Sequence, residues 1–331
     1  LETHKEGINC WDKDLQRYIY STQVESYHPF RLYMNELPAW DGTDRLKPLA
    51  KRVSDIPLWI KSFHTWMLGL AAQWLGVNQT QANSVAPILI SEEQGRHKST
   101  FCRMLMPPQL ARYYSDNLKL TAQGNPERLL AEMGLLNMDE FDKFGAQKMP
   151  LLKNLMQMSS LNICKAYQKN FRSLPRIASF IGTSNRTDLL CDPTGSRRFI
   201  CIEVEHDIDC TGIEHSQIYA QLKEELLAGA RHWFNKEEEH ALQRHNSAYY
   251  HINPIEDIVR NTYIPAALDE PNCLSLSAAI IHQELKKRFP AALQGCTPIQ
   301  LAQNLTAAGI SRQHTRLGNV YLVKRVKDSE E

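Results

Sequence analysis

Ile88-Leu89-Ile90 runs directly into Ser91-Glu92-Glu93-Gln94-Gly95-Arg96-His97-Lys98-Ser99-Thr100. A short apolar strand, a polar turn and a lysine with two hydroxyl residues at a helix start together outline a phosphate-binding loop. A strand–loop–helix unit of this kind commits its surroundings to an α/β layout, because the strand needs sheet neighbours and the helix must cover them. The loop departs from G-x-x-x-x-G-K-[ST]. Glu92 and His97 stand where that pattern has glycine, and Gly95 is the flexible point inside the turn.

The chemistry such a loop serves is specific. A nucleoside triphosphate brings adjacent anionic phosphates and Mg²⁺, which unpaired amides at a helix start can hold cheaply. Lys98 is placed to grip phosphate and Ser99 to ligate Mg²⁺, while Thr100 helps close the pocket and Gly95, Arg96 and His97 line it. Further along, Leu135-Leu136-Asn137-Met138 is an apolar strand ending in Asp139 and Glu140. Asp139 fits the Mg²⁺ shell and Glu140 fits a base that draws a proton from attacking water. Asp142 and Lys143 read as a local surface pair. Phe180-Ile181-Gly182-Thr183-Ser184-Asn185 is a third strand with a polar end, where Asn185, or failing it Thr183, could fix that water. Arg197 and Arg198 follow Thr194-Gly195-Ser196 in a tight turn, and fixed guanidinium donors there can meet phosphate. The alternative for these arginines is structural pairing with Asp188 or Asp192. Strand ends at 90, 138 and 181 are expected to converge on one edge of a parallel sheet.

Around this core the periodicity sets the organisation. Residues 1–82 read as a mostly helical region, with Tyr18-Ile19-Tyr20 as a short strand. A long helix starts at Asp55-Ile56-Pro57, with Asp55 as its cap, and ends near Gly76. Ile56, Ile60, Phe63, Met67, Leu70 and Trp74 recur on one face of it, and Trp59, Trp66 and Trp74 are expected in the core. Within a core domain of residues 83–245, residues 86–205 alternate strands (Ile88–Ile90, Leu135–Met138, Ile177–Ile181, Phe199–Val204) with helices. One helix carries Leu151, Leu152, Leu155 and Met156; a later one carries Ile218, Leu222, Leu226, Ala230 and Trp233, and Lys236–Glu239 reads as a solvated cap. Residues 246–331 read as a linker, Pro265 to Pro271, and a small winged-helix-like domain. In that domain Ser277 and Thr297 start helices, Gly309 stops the second, and 319–323 is a strand. Arg312, His314, Arg316, Lys324, Arg325 and Lys327 concentrate positive charge there. Arg312, Arg316, Lys324 and Arg325 are the candidate DNA contacts, against the plainer reading of a solvated basic edge.

Composition narrows the class. With 38 Lys+Arg against 37 Asp+Glu in 331 residues, no global field draws nucleic acid, so DNA contact needs a local patch. The eight cysteines include no Cys-x-x-Cys pair, and Cys201, His206, Cys210 and His215 lack the spacing of a common zinc module. They read as reduced thiols of a cytoplasmic protein. No apolar run approaches the ~18 residues of a membrane span, and no secretory leader is expected.

Taken together, YHPFRLYMNELPAWDG (27–42), EEQGRHKST (92–100), LLNMDEFDKF (135–144) and SFIGTSNRTDLLCDPTGSRRF (179–199) resemble the virulence-associated protein E family. That is a P-loop domain related to superfamily-three helicases and to the primase-helicases of phages and mobile elements. The last segment, with Asp192, Thr194, Gly195, Arg197 and Arg198 as D-x-T-G-x-R-R, is the most specific. The resemblance covers roughly residues 25–240. It implies a P-loop NTPase core of the AAA+ or superfamily-three type. Lys98 and Ser99 then take phosphate and Mg²⁺, Asp139 and Glu140 are the acidic pair, Asn185 is the sensor and Arg197 or Arg198 an arginine finger. ATP and Mg²⁺ are the implied cofactors. The implied partners are a hexameric ring of the same chain, single- or double-stranded DNA, and a primase domain or protein. Glycine is expected where Glu92 and His97 stand, which bears on hydrolysis more than on binding. Two other readings remain open: a DNA-binding or scaffolding protein with a degenerate ATPase domain, and a small-molecule phosphotransferase.

Overall fold

The computed structural model describes residues 5–7, 10–21, 23–24, 27–77, 81–121, 124–163, 172–190, 193–250, 254–268, 270–315 and 318–326. The chain divides into two compact units, Leu1–Tyr250 and His251–Glu331. The first is an α/β unit built on β1 (Ala86–Ile90), β2 (Tyr114–Ser115), β3 (Leu135–Met138), a hairpin of β4 (Ser160–Ile163) and β5 (Arg172–Pro175), then β6 (Ser179–Ser184) and β7 (Phe199–Glu203). The main sheet is parallel throughout, in the order β2-β3-β6-β1-β7.

The apolar runs read from sequence are continuous rather than alternating because the sheet is covered on both faces. Leu89, Leu135, Ile181, Ile200 and Ile202 pack on one face with the helices Pro57–Leu75, Lys98–Met104 and His215–Leu227. Ile88, Ile90, Leu136, Met138, Phe180 and Cys201 pack on the other with the helices Pro126–Glu132 and Met149–Gln157. The long helix Pro57–Leu75 does more than fill space. Its indole N–H groups reach main-chain carbonyls: Trp59 to Ala50 at 2.8 Å, Trp66 to Phe180 at 3.1 Å and Trp74 to Gly134 at 3.4 Å. Gln73 Nε2 donates to the carbonyls of Ile177 and Ala178, both at 2.9 Å. The helix thereby holds the segments leading into β3 and β6.

β6 lies between β1 and β3, with Ile90 opposite Ser184 and Met138 opposite Gly182. The fit is close. A Cβ on Gly182 would sit 2.8 Å from Ile88 Cδ1 and 3.2 Å from the Met138 carbonyl oxygen. At the opposite edge of the sheet Arg176 is buried without a carboxylate partner among the described residues. Burial lowers its pKa. It donates instead to carbonyls: Ala178 at 2.7 Å, Met156 at 2.6 Å and Asn83 at 3.0 Å. The guanidinium thus ties the end of the helix Met149–Gln157 to the segments entering β1 and β6.

Several local expectations are corrected. Tyr18-Ile19-Tyr20 is no strand: Asp12–Ile19 is a helix with Asp12 and Asp14 in its first turn, favourable at the positive end. The helix at Pro57 is preceded by Ile56 rather than capped by Asp55, and proline at its first position makes the missing amide harmless. It ends as expected at Gly76, in the left-handed region at φ 75°. The third strand begins at Ser179, not Ile177, whose amide bonds Leu130. His215–Leu227 stops before Ala230 and Trp233. Lys236–Glu239 is more than a solvated cap. Asn235 and Glu238 form a capping box, Glu238 binds Arg231 and Lys61, and Glu239 binds Arg197.

The second unit has the helices Pro254–Thr262, Ala278–Arg288 and Pro298–Ala307 and an antiparallel sheet of β8 (Tyr263–Pro265), β9 (Leu274–Ser277), β10 (Arg312–Thr315) and β11 (Gly318–Arg325). β11 is central, paired with β10, β8 and β9. Pro265 is therefore not the start of a linker: it lies in β8 opposite Val323. Ser277 and Thr297 cap their helices by side-chain oxygens, and Gly309 ends the second at φ 86°.

Arg176→Met removes the donors from at least three buried carbonyls while keeping the length of the side chain. With ~1–3 kcal/mol for each buried group left unpaired, urea unfolding should show a loss of about 3 kcal/mol or more, as a lower midpoint with an unchanged slope.

Candidate functional site

The loop after β1 is folded against itself, against the end of β6 and against the segment that follows β7. Ser91 N–H donates to the Ser184 carbonyl at 3.1 Å, and Ser91 Oγ donates to the Glu93 carbonyl at 3.0 Å. Arg96 pairs with Glu93 and, at 3.3 Å, with Asp207. Glu92 is exposed, so its carboxylate points away from the loop interior. Gly95 takes φ 86° and His97 takes φ 58°. A histidine tolerates this left-handed conformation, at a cost that glycine avoids. The first intrahelical bond of Lys98–Met104 runs from Phe101 N–H to the His97 carbonyl at 2.8 Å. The amides of Lys98, Ser99 and Thr100 therefore have no acceptor inside the helix.

Lys98 is buried, and its ammonium folds back over the strand ends. Nζ donates to the Ser91 carbonyl at 2.9 Å and to Asn185 Oδ1 at 3.1 Å. Burial lowers its pKa, while Asp139 works in the opposite direction. Ser99 Oγ donates to Asp139 Oδ1 at 2.8 Å, and Thr183 Oγ1 donates to the same oxygen at 2.6 Å. Gln94, Gly95, Arg96, His97, Lys98, Ser99, Thr100 and Asn185 line an open depression of about 300 Å³. Residues placed together only by sequence reasoning thus meet at three neighbouring strand ends.

The acidic turn differs in detail from the expectation. Lys143 pairs with Glu140, at 2.5 Å, and not with Asp142. Three residues apart in a tight turn, Glu140 and Lys143 face each other, whereas adjacent side chains diverge. Glu140 itself is left-handed at φ 53°. Asp142 instead receives the Asn185 amide at 3.4 Å and lies 3.1 Å from Ser184 Oγ. Thr183, ranked behind Asn185 as a water-fixing group, faces the acids. Its signal in the sequence was only a hydroxyl two residues before Asn185.

Arg197 and Arg198 stand apart. They precede β7, whose first residue Phe199 is opposite Ala86, the first residue of β1. The loop 91–97 leaves the other end of β1, four residues on, roughly 13 Å away at strand rise. Neither arginine joins the depression of its own chain. Arg197 pairs with Glu239 at 3.1 Å, and not with Asp188, which binds Arg186 at 2.7 Å. Asp192 lies outside the described residues. In the second unit Arg312 is exposed on β10, but Lys324 is paired with Glu270 and Arg325 with Glu284. Arg316 and Lys327 lie outside the described residues. The basic edge is thus partly neutralised by carboxylates that are distant in sequence. Among the described residues no three His, Cys, Asp or Glu side chains cluster to hold a metal, and no helix is long and apolar enough to cross a membrane.

Residues 34–251 match the virulence-associated protein E-like domain. The chain belongs to that family. Residues 252–323 match a domain of unknown function, DUF3874, described from B. theta. Among solved structures, the apo C-terminal region of NrS-1 (305–718) aligns at 15% identity and a TM-score of 0.42, covering 89% of this chain and 78% of that one. An A-form apo structure of the same region aligns at 15% and 0.40 over 89% and 78%. No curated protein matches.

His97→Gly should relieve the left-handed strain at the loop. Stability should rise by about 1 kcal/mol, read as a higher denaturation midpoint.

Proposed function

We propose that this virulence-associated protein E-like chain is a Mg²⁺-dependent, ATP-binding and ATP-hydrolysing motor, serving a DNA helicase or primase-helicase of a mobile element or prophage. The observation that carries the reading is the meeting of Lys98, Ser99, Asp139 and Asn185 at the adjacent ends of β1, β3 and β6. An AAA+ or superfamily-three-type P-loop core accounts for the strand order and for the placing of these groups.

On this reading the depression takes the phosphates, with Lys98 exchanging its carbonyl and Asn185 contacts for phosphate oxygens. The donor set suits Mg²⁺, which favours hard oxygen ligands and is usually held by one or two carboxylates together with substrate phosphates. Ser99 Oγ and Asp139 would hold the ion, which neutralises charge developing on the phosphates. Once Lys98 leaves Asn185 Oδ1, that oxygen is free to orient water. Glu140 can accept the water's proton on the oxygen that Lys143 leaves open, or on the other once that ion pair opens. Arg197 or Arg198 is too far from its own chain's depression to serve it, which favours a ring, hexameric in our reading, whose neighbour supplies the finger. Arg197 must then exchange Glu239 for the neighbour's nucleotide. Single- or double-stranded DNA, met in part by the second unit, and a primase domain or protein are the proposed partners.

Calorimetry with a non-hydrolysable ATP analogue and Mg²⁺ tests the first step. Binding should be Mg²⁺-dependent and on the order of 10-fold or more weaker in Lys98→Ala, since a hydrogen bond to a charged group contributes roughly 1.5–3 kcal/mol. No binding at millimolar ligand would sink the reading. Binding without turnover would favour a degenerate scaffold, which the left-handed His97 and the tethered Glu140 make the next reading. A motor should hydrolyse ATP faster with single-stranded DNA. A phosphotransferase should ignore DNA and phosphorylate a small acceptor.

A further inference from the structure

The hydroxyl of Thr183 touches the carboxylate of Asp139 and the backbone of Glu140. It donates to Asp139 Oδ1 at 2.6 Å and accepts from the Glu140 amide at 3.4 Å. The residue is buried in β6, opposite Leu89 of β1, so backbone pairing fixes where the hydroxyl stands. Asp139, by contrast, is exposed, and Glu140 is held in a left-handed conformation. An exposed aspartate on a turn has several rotamers and pays entropy to hold one. Two hydroxyls, Ser99 from the loop helix and Thr183 from β6, converge on one oxygen of Asp139. Bonds from hydroxyls to a carboxylate are among the stronger hydrogen bonds. If Ser99 turns a lone pair to a cation, the Thr183 bond still holds the carboxylate in place.

We infer that Thr183 is a positioning residue, which aims the Asp139 carboxylate at the cation and sets the backbone from which Glu140 reaches water. The inference rests on the ATP-binding reading above and adds to it a requirement on β6. Thr183 does not line the depression; its hydroxyl is engaged by Asp139 and the Glu140 amide. Its effect should therefore appear as a demand for more Mg²⁺, and as slower turnover, while nucleotide affinity at saturating Mg²⁺ holds.

The test compares the wild-type chain with Thr183→Val, which keeps shape and loses the hydroxyl, and Thr183→Ser, which keeps the hydroxyl. Calorimetric titration of the ATP analogue over a Mg²⁺ series gives the cation concentration for half-maximal binding; steady-state hydrolysis gives kcat and KM. Loss of a group that orients a metal ligand typically costs ~10–100-fold in metal affinity or activity. Thr183→Val should raise the half-maximal Mg²⁺ concentration about 10-fold and lower kcat by a similar factor, by analogy with such outer-shell partners. Thr183→Ser should restore most of both. Unchanged Mg²⁺ dependence in Thr183→Val overturns the inference, as does a Thr183→Ser variant as impaired as Thr183→Val. If Thr183→Val unfolds, the Thr183→Ser chain decides: an altered Mg²⁺ demand in a folded protein that keeps the hydroxyl counts against it. A wild-type chain that binds no nucleotide overturns the ATP-binding reading itself, and this inference with it.

Discussion

The placement of β6 between β1 and β3 is the constraint on which the first unit depends. Parallel pairing on both sides packs Gly182 closely, so that a Cβ there would displace the tip of Ile88 and crowd the Met138 carbonyl. Pairing on both sides sets the register of three strands at once, and with it the height at which each strand releases its polar end. Thr183, Ser184 and Asn185 then face Asp139 and Asp142 on one side and Lys98 on the other. The helix Pro57–Leu75 and the buried Arg176 guard this arrangement from behind, through side-chain donors on backbone carbonyls. Such bonds resist sliding of the strands, whereas apolar contacts alone tolerate it.

The site is held together by bonds that a ligand would have to replace. Lys98 is satisfied by a carbonyl and by Asn185, and Glu140 by Lys143. Each is a charged group aimed at, or near, the place where a different partner is proposed for it. Leaving such groups unpaired is costly, so internal partners are the expected resting arrangement. The pairs on exposed side chains are weak and exchange readily. The bonds of buried Lys98 are the ones whose replacement needs a strong anion.

Much of this was legible in the sequence for local reasons. The strand–loop–helix at 86–104, the acidic strand end at 139 and the polar strand end at 185 each carry their chemistry within a few adjacent residues. Gly76 and Gly309 as helix stops, and Ser277 and Thr297 as caps, depend only on neighbouring backbone. Sequence falls short where partners are remote or the local signal is too brief. β2 has two residues and forms only because β3 offers an edge. Pro265 looked like a linker because nothing nearby announces its pairing with Val323. Lys324 and Arg325 looked like a free basic edge because Glu270 and Glu284 are far off in the chain.

Sequence alone marked out residues whose side chains suit phosphate and a hard cation, and most of the strands and helices that carry them, since side-chain type and periodicity are local properties. It also carried the family resemblance. Only the tertiary structure decided which of those residues meet. Strand order is set by packing between distant segments, and that order brings Lys98, Ser99, Asp139 and Asn185 together and leaves Arg197 and Arg198 at the far end of the sheet. The placement of Thr183 is of the same kind: its hydroxyl stands 2.6 Å from Asp139, a residue forty-four positions distant in the chain.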